Sequence, residues 1–236
     1  MISNTLIEQM FDMWLTSQTH LQKVKRWSKY IKANTKLRKQ HVLHHQYSVC
    51  LVMLPVLLKL KQYHPSLNTE LVKDCFQTHD IAEGLLGLKY DVLASDKKQH
   101  HDLQEYLAFK ATIKNFDSIV RDHFHLVYLL QFAHKSDDEL SMFPEEALRL
   151  IVFIRKTYQY EANLFPALES WEYLFYAYEG YLHHQDSYIL VNVLRRQVPF
   201  LQASCAQIEG FREVLFPLHF EEKLLEFIKE NEDIPV

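Results

Sequence analysis

Residues Thr78 to Gly84 read THDIAEG, placing an imidazole and a carboxylate side by side in His79 and Asp80, with Glu83 shortly after. A nitrogen donor beside an oxygen donor is a pair that a divalent cation can grip, and on a helix Glu83 would lie beside both. The dipeptide recurs as His101-Asp102. There Lys97, Lys98, Gln99 and Gln104 crowd it and predict a solvated helix start. Around the first pair, Val72, Cys75, Phe76, His79, Ala82 and Leu86 follow helical spacing, which turns His79 toward the core face. Upstream, His41, His44 and His45 cluster in KQHVLHHQYSVCLV. If His45 points inward with Val49, Val52 and Val56, it approaches His79 from a neighbouring helix, with His44 about a quarter-turn away.

The elements that must position these groups are helices. The chain has 236 residues, 48% hydrophobic and 24% charged, which fits one globular domain over 1–236. Its 4 Gly and 7 Pro are too few for the tight turns of a sandwich or barrel, and its apolar residues recur mostly at helical intervals, so the predicted fold is all-α. Ser3 or Asn4 caps a first helix with Leu6, Ile7, Met10, Phe11 and Trp14 as its apolar positions. A strongly apolar helix follows over His44 to Tyr63, kinked or shortened by Pro55. Another starts at Asn68 or Thr69 and runs through His79-Asp80 to Gly84 or Gly87. Beyond a polar loop at Tyr90 to Gln99, helices are predicted at about 101–111, 117–133, 144–160, 165–182, 187–197, 203–215 and 221–230.

The odd, scattered cysteines Cys50, Cys75 and Cys205 fit a reducing cytoplasm. No basic flank precedes an apolar run at the N-terminus, and the longest apolar stretch, Val49 to Leu58, is too short to span a bilayer, so no membrane role is expected. Net charge is −4, yet Lys23 to Lys39 holds eight basic residues and no acidic one. A local positive patch of this kind receives a phosphate, a nucleotide or nucleic acid, or is a solvated loop.

The order of these residues resembles the HD-domain metal-dependent phosphohydrolases, closest to the small all-helical branch that includes the 5'-deoxynucleotidases. That branch reads Arg-Trp, then Val-x-Glu/Asp-His, then His-Asp-x-x-Glu, then Asp-x-x-Glu on a late helix. Here Arg26-Trp27, Val42-Leu43-His44-His45, His79-Asp80-Ile81-Ala82-Glu83 and Glu169-Ser170-Trp171-Glu172 stand in that order. The resemblance implies a single HD-type helical bundle with its motif-bearing core at about 23–179 and further C-terminal helices. It implies one divalent metal ion, Mn, Co, Mg, Fe or Zn, held by His45, His79, Asp80 and Glu169. Asp80 and Glu83 would be the catalytic carboxylates, with Glu83 moving protons, while Arg26 grips phosphate and Trp27 packs beneath the pocket. The implied substrate is a small phosphorylated metabolite or nucleotide, foremost a nucleoside 5'-monophosphate; a homodimer is compatible with the fold, and nucleic acid is not the expected partner.

Three departures from the pattern matter. Glu169 stands where the branch has Asp, and its carboxylate reaches one methylene farther. His44 replaces an acidic residue, which removes a carboxylate that would orient a ligand, or itself ligates. Leu88 stands where the nucleotidases have an Asp, with Asp91 the nearest acid. These departures motivate a competing expectation, an HD module that binds a nucleotide or protein without hydrolysis. A third, using Lys23 to Lys39, is a nucleic-acid-binding helical protein whose affinity would fall steeply with salt.

Overall fold

The computed structural model describes residues 5–27, 40–88, 99–185 and 187–235. Among them are eleven helices and no strand, only an isolated antiparallel bridge between Lys25 and His41. In chain order they are α1 (Thr5–Leu21), α2 (Val42–Leu60), α3 (Thr69–Thr78), α4 (Ile81–Leu85), α5 (Gln99–Ile113), α6 (Ser118–Leu130), α7 (Glu145–Thr157), α8 (Gln159–His184), α9 (Ser187–Gln207), α10 (Phe211–Val214) and α11 (Leu218–Glu230). The all-α expectation holds. The expected caps Ser3 and Asn4, most of the basic run and Asp91 lie outside the described residues.

One continuous core draws on all the described helices, Met13 of α1 and Ala82 of α4 included, and is built on large side chains such as Phe76, Phe109, Tyr128, Phe165 and Phe211. A smaller cluster of Leu21, Val24, Val42 and Leu43, with Leu88 against it, fastens the end of α1 to the start of α2. There the chain doubles back. Arg26 N–H donates to Gln40 O and Val42 N–H to Val24 O, both at 3.1 Å, so Arg26 and Trp27 are pinned beside the first turn of α2.

Several sequence expectations are corrected. The helix expected to run unbroken through His79-Asp80 stops at Thr78 and restarts at Ile81 as the five-residue α4. Thr78 Oγ1 donates back to the carbonyls of Asp74 (2.9 Å) and Cys75 (3.2 Å), a local bond that competes with the helical ladder. Pro55 does not shorten α2, which continues to Leu60, and α9 runs through Pro199 where two helices were expected. A proline in a helix removes one hydrogen bond, and α9 offsets that through the long buried face formed by Ile189, Leu190, Val193, Leu194, Val198 and Leu201.

On α2 the buried stripe is His45, Val49, Met53, Leu57 and Leu60; Val52, expected inside, is exposed. This 19-residue helix is also long and apolar enough to cross a membrane by length and composition, contrary to the expectation from Val49 to Leu58, although its inner stripe packs into the core. On α1, Ile7, Met10, Phe11 and Trp14 are exposed, and Met13 and Leu21 turn inward instead.

Candidate metal centre

His45 sits in the first turn of α2, a helix that begins with no acidic residue and no side-chain cap. It is 1% exposed. Its Nδ1 faces Glu172 Oε1 at 3.0 Å, and its Nε2 lies 3.8 Å from Asp80 Oδ2. Carboxylates thus flank the ring on both sides, Glu172 against Nδ1 and Asp80 before Nε2.

His79 and Asp80 occupy the break between α3 and α4. The buried Nδ1 of His79 lies 2.9 Å from the carbonyl of Phe76, a group that only accepts, so Nδ1 carries the proton. The ring is walled by Phe76 and Phe165, with centroids at 5.6 and 5.4 Å. Its Nε2 meets two carboxylate oxygens, Asp80 Oδ1 at 3.1 Å and Glu169 Oε1 at 3.2 Å. Asp80 therefore spans both imidazoles, one oxygen toward each. Each ligand atom of His45, His79 and Glu169 lies within 4.8 Å of the others.

The arrangement calls for a cation. A neutral His79 would aim its lone pair at two anions in a buried site, which is stable only if Nε2 is protonated or a metal ion sits between the donors. Burial by itself lowers the pKa of His79, but the Asp80 and Glu169 carboxylates, helped by the Phe76 carbonyl, carry it up to about 9. The donor set also fits a metal. Ligands about 2.1 Å from an ion and at right angles stand about 3 Å apart, close to the spacing around His79 Nε2. His79 donates its remote N–H to the Phe76 carbonyl, and Glu172 stands against the remote nitrogen of His45, the kind of outer partner that ligating histidines have.

Glu172 is the residue that sequence reasoning left without a role. The carboxylate thought missing because position 44 is His is supplied from α8 instead. Burial would raise the pKa of Glu172, but His45 and Arg26 outweigh it and hold the carboxyl at about 2. The available signal was the Glu169/Glu172 spacing, which puts both on one helical face. His44 itself is exposed and leans on His41, with ring centroids 5.8 Å apart.

Arg26 is 3% exposed. Its Nη1 donates to Glu172 Oε2 and Gln40 Oε1, both at 3.3 Å, and its guanidinium lies 4.6 Å from the centre of the Tyr173 ring. Trp27 is buried with a left-handed φ of 65°, donates from Nε1 to Gln40 Oε1 at 2.8 Å and stacks on Tyr176 at 5.0 Å. The two residues expected to meet substrate thus pack behind Glu172. Part of the aromatic run on α8, Tyr173 and Tyr176, forms that packing, while Trp171 Nε1 donates to Leu215 O.

Glu83 lies one turn past Asp80, 1% exposed. Leu88 joins the small cluster at the start of α2. An apolar cleft of about 310 Å³ opens between α2 and α8, lined by Val52, Met53, Trp171 and Phe175, with Glu172 at its edge.

Outside the centre, the solvated start expected for His101-Asp102 is corrected: Asp102 is buried and paired with Lys135. His123 stands 3.3 Å from Asp74 Oδ2 on the surface. Compared with protein-family models, curated proteins and solved structures, the chain matches none.

Proposed function

We propose that this protein is a metal-dependent phosphohydrolase acting on a small phosphate ester, with nucleoside 5'-monophosphates the first substrate class to test. One observation carries the reading: two imidazoles, each with an acceptor beside its remote nitrogen, and two carboxylates meet in a largely buried site that a cation would complete. His45, His79, Asp80 and Glu169 would hold the ion. A divalent cation bound there lowers the pKa of a water molecule and offsets charge on a phosphoryl oxygen.

The chain's own residues do the rest. Glu172, anchored by Arg26, backs the His45 ring from its Nδ1 side. Phe76 O does the same for His79. Glu83, buried one turn from Asp80, takes a proton from the attacking water or supplies one to the leaving oxygen. The ordered likeness to the HD phosphohydrolases supports the same reading, with the cytoplasm as the proposed compartment.

The second reading, a module that binds without turnover, is favoured by Arg26, whose Nη1 is engaged by Glu172 and Gln40 beneath the centre. Metal analysis of protein purified without chelator, followed by phosphate release from a nucleotide panel with each divalent ion, separates the two. Bound metal with release supports hydrolysis, and metal or nucleotide binding without release supports the module. Neither metal nor release defeats both forms of the metal reading.

A further inference from the structure

The same helix that turns His45 inward turns an apolar stripe outward. Tyr47, Leu51, Leu54 and Leu58 recur on the outer side of α2, with Leu51 79% exposed. Beside it, α1 shows Ile7, Met10, Phe11 and Leu15 at the spacing of an amphipathic face, with Ile7 71% exposed. The stripes adjoin, because Tyr47 OH donates to Gln18 Oε1 of α1 at 3.2 Å. From these two helices we infer a docking face for a second copy of this chain, forming a two-fold homodimer; the inference stands apart from the metal reading.

Area supports it. Side chains of this size, roughly half exposed or more, each offer on the order of 100 Å², so the eight together offer on the order of 800 Å². That exceeds the largest apolar patch of an ordinary monomer and equals what each subunit of a stable dimer contributes. Charge supports it too. Helix α1 contains no Lys or Arg and exposes Glu8, whereas α2 contains no acid and ends in the exposed Lys59. A two-fold pairing that lays α1 of one copy across α2 of the other brings these opposite charges together at the rim. Helices α1 and α2 together carry one Lys and no Arg, which disfavours the alternative of an anionic membrane surface, since such a surface selects amphipathic helices rich in both.

Sedimentation equilibrium of the full chain at micromolar concentration tests this, alongside flotation with vesicles of neutral and of anionic phospholipid. The expected mass is twice 28.2 kDa, without flotation. Phe11→Glu with Leu51→Glu should weaken dimerisation by at least about a hundredfold and restore a 28.2 kDa species with an unchanged helical circular dichroism spectrum. Should the glutamates unfold the chain, Phe11→Ser with Leu51→Ser is read the same way. A monomeric native chain, a folded variant that stays dimeric, or a monomer that floats with vesicles would overturn the proposal.

Discussion

Two His-Asp dipeptides in this chain share their chemistry and differ in their fate. His101-Asp102 lies inside the continuous helix α5, where successive side chains diverge by about 100°. Asp102 turns into the protein and is neutralised by Lys135, while the His101 ring lies tilted against His100 with centroids 4.1 Å apart. His79-Asp80 lies at a helix break, and its two side chains converge on each other, on His45 and on Glu169. Such a dipeptide can offer both donors to one ion only where the backbone leaves the helix between its members and no lysine or arginine has already met the carboxylate.

The largest expected effect comes from removing the converging imidazole. His79→Asn should lower divalent-metal affinity more than about a hundredfold, read by titration calorimetry, because a ligand is lost and the remaining carboxylates repel. Retained affinity would erase the distinction between the two dipeptides.

The second effect is on pH dependence. A pKa raised from 6.5 to about 9 gives the metal-free protein stability that is fully present below the unfolded value and lost as pH rises through about 9. The difference is on the order of 3 kcal/mol, measurable by urea unfolding of metal-free protein at about pH 6 and about pH 10. Saturating metal should flatten the profile, since the ion takes the place of the proton.

Asp102→Asn sharpens the contrast from the other side. It should cost about 2 kcal/mol of stability by leaving Lys135 without its anion, with metal affinity unchanged. Smallest of the four, Glu172→Gln should reduce metal affinity by about tenfold, because the amide keeps an oxygen against His45 but no longer balances the charge of Arg26. An unchanged affinity would make Glu172 a packing residue only.

Much of the helical pattern was legible because apolar residues at 3.6-residue spacing report local structure. Helix α7, expected at about 144–160, and the cap of α3 by Asn68, whose side chain accepts from Leu71 N–H, follow from such signals. Pro55 and Pro199 sit inside helices that tertiary packing carries through, and α8 starts at Gln159 rather than at about 165. The apolar stripe of α1 also misled, because periodicity identifies an apolar face without saying what covers it.

Residue types and their order determined by themselves that this is a helical protein carrying two imidazoles and several carboxylates suited to a divalent ion. The tertiary structure decided which of them meet. It broke the helix at His79, brought Glu169 across to that ring, and set Glu172 behind His45 although 127 positions separate them. Local periodicity fixes which way a side chain leaves its own helix, but a ligand set is a property of three helices at once, and their relative placement follows from how the core packs.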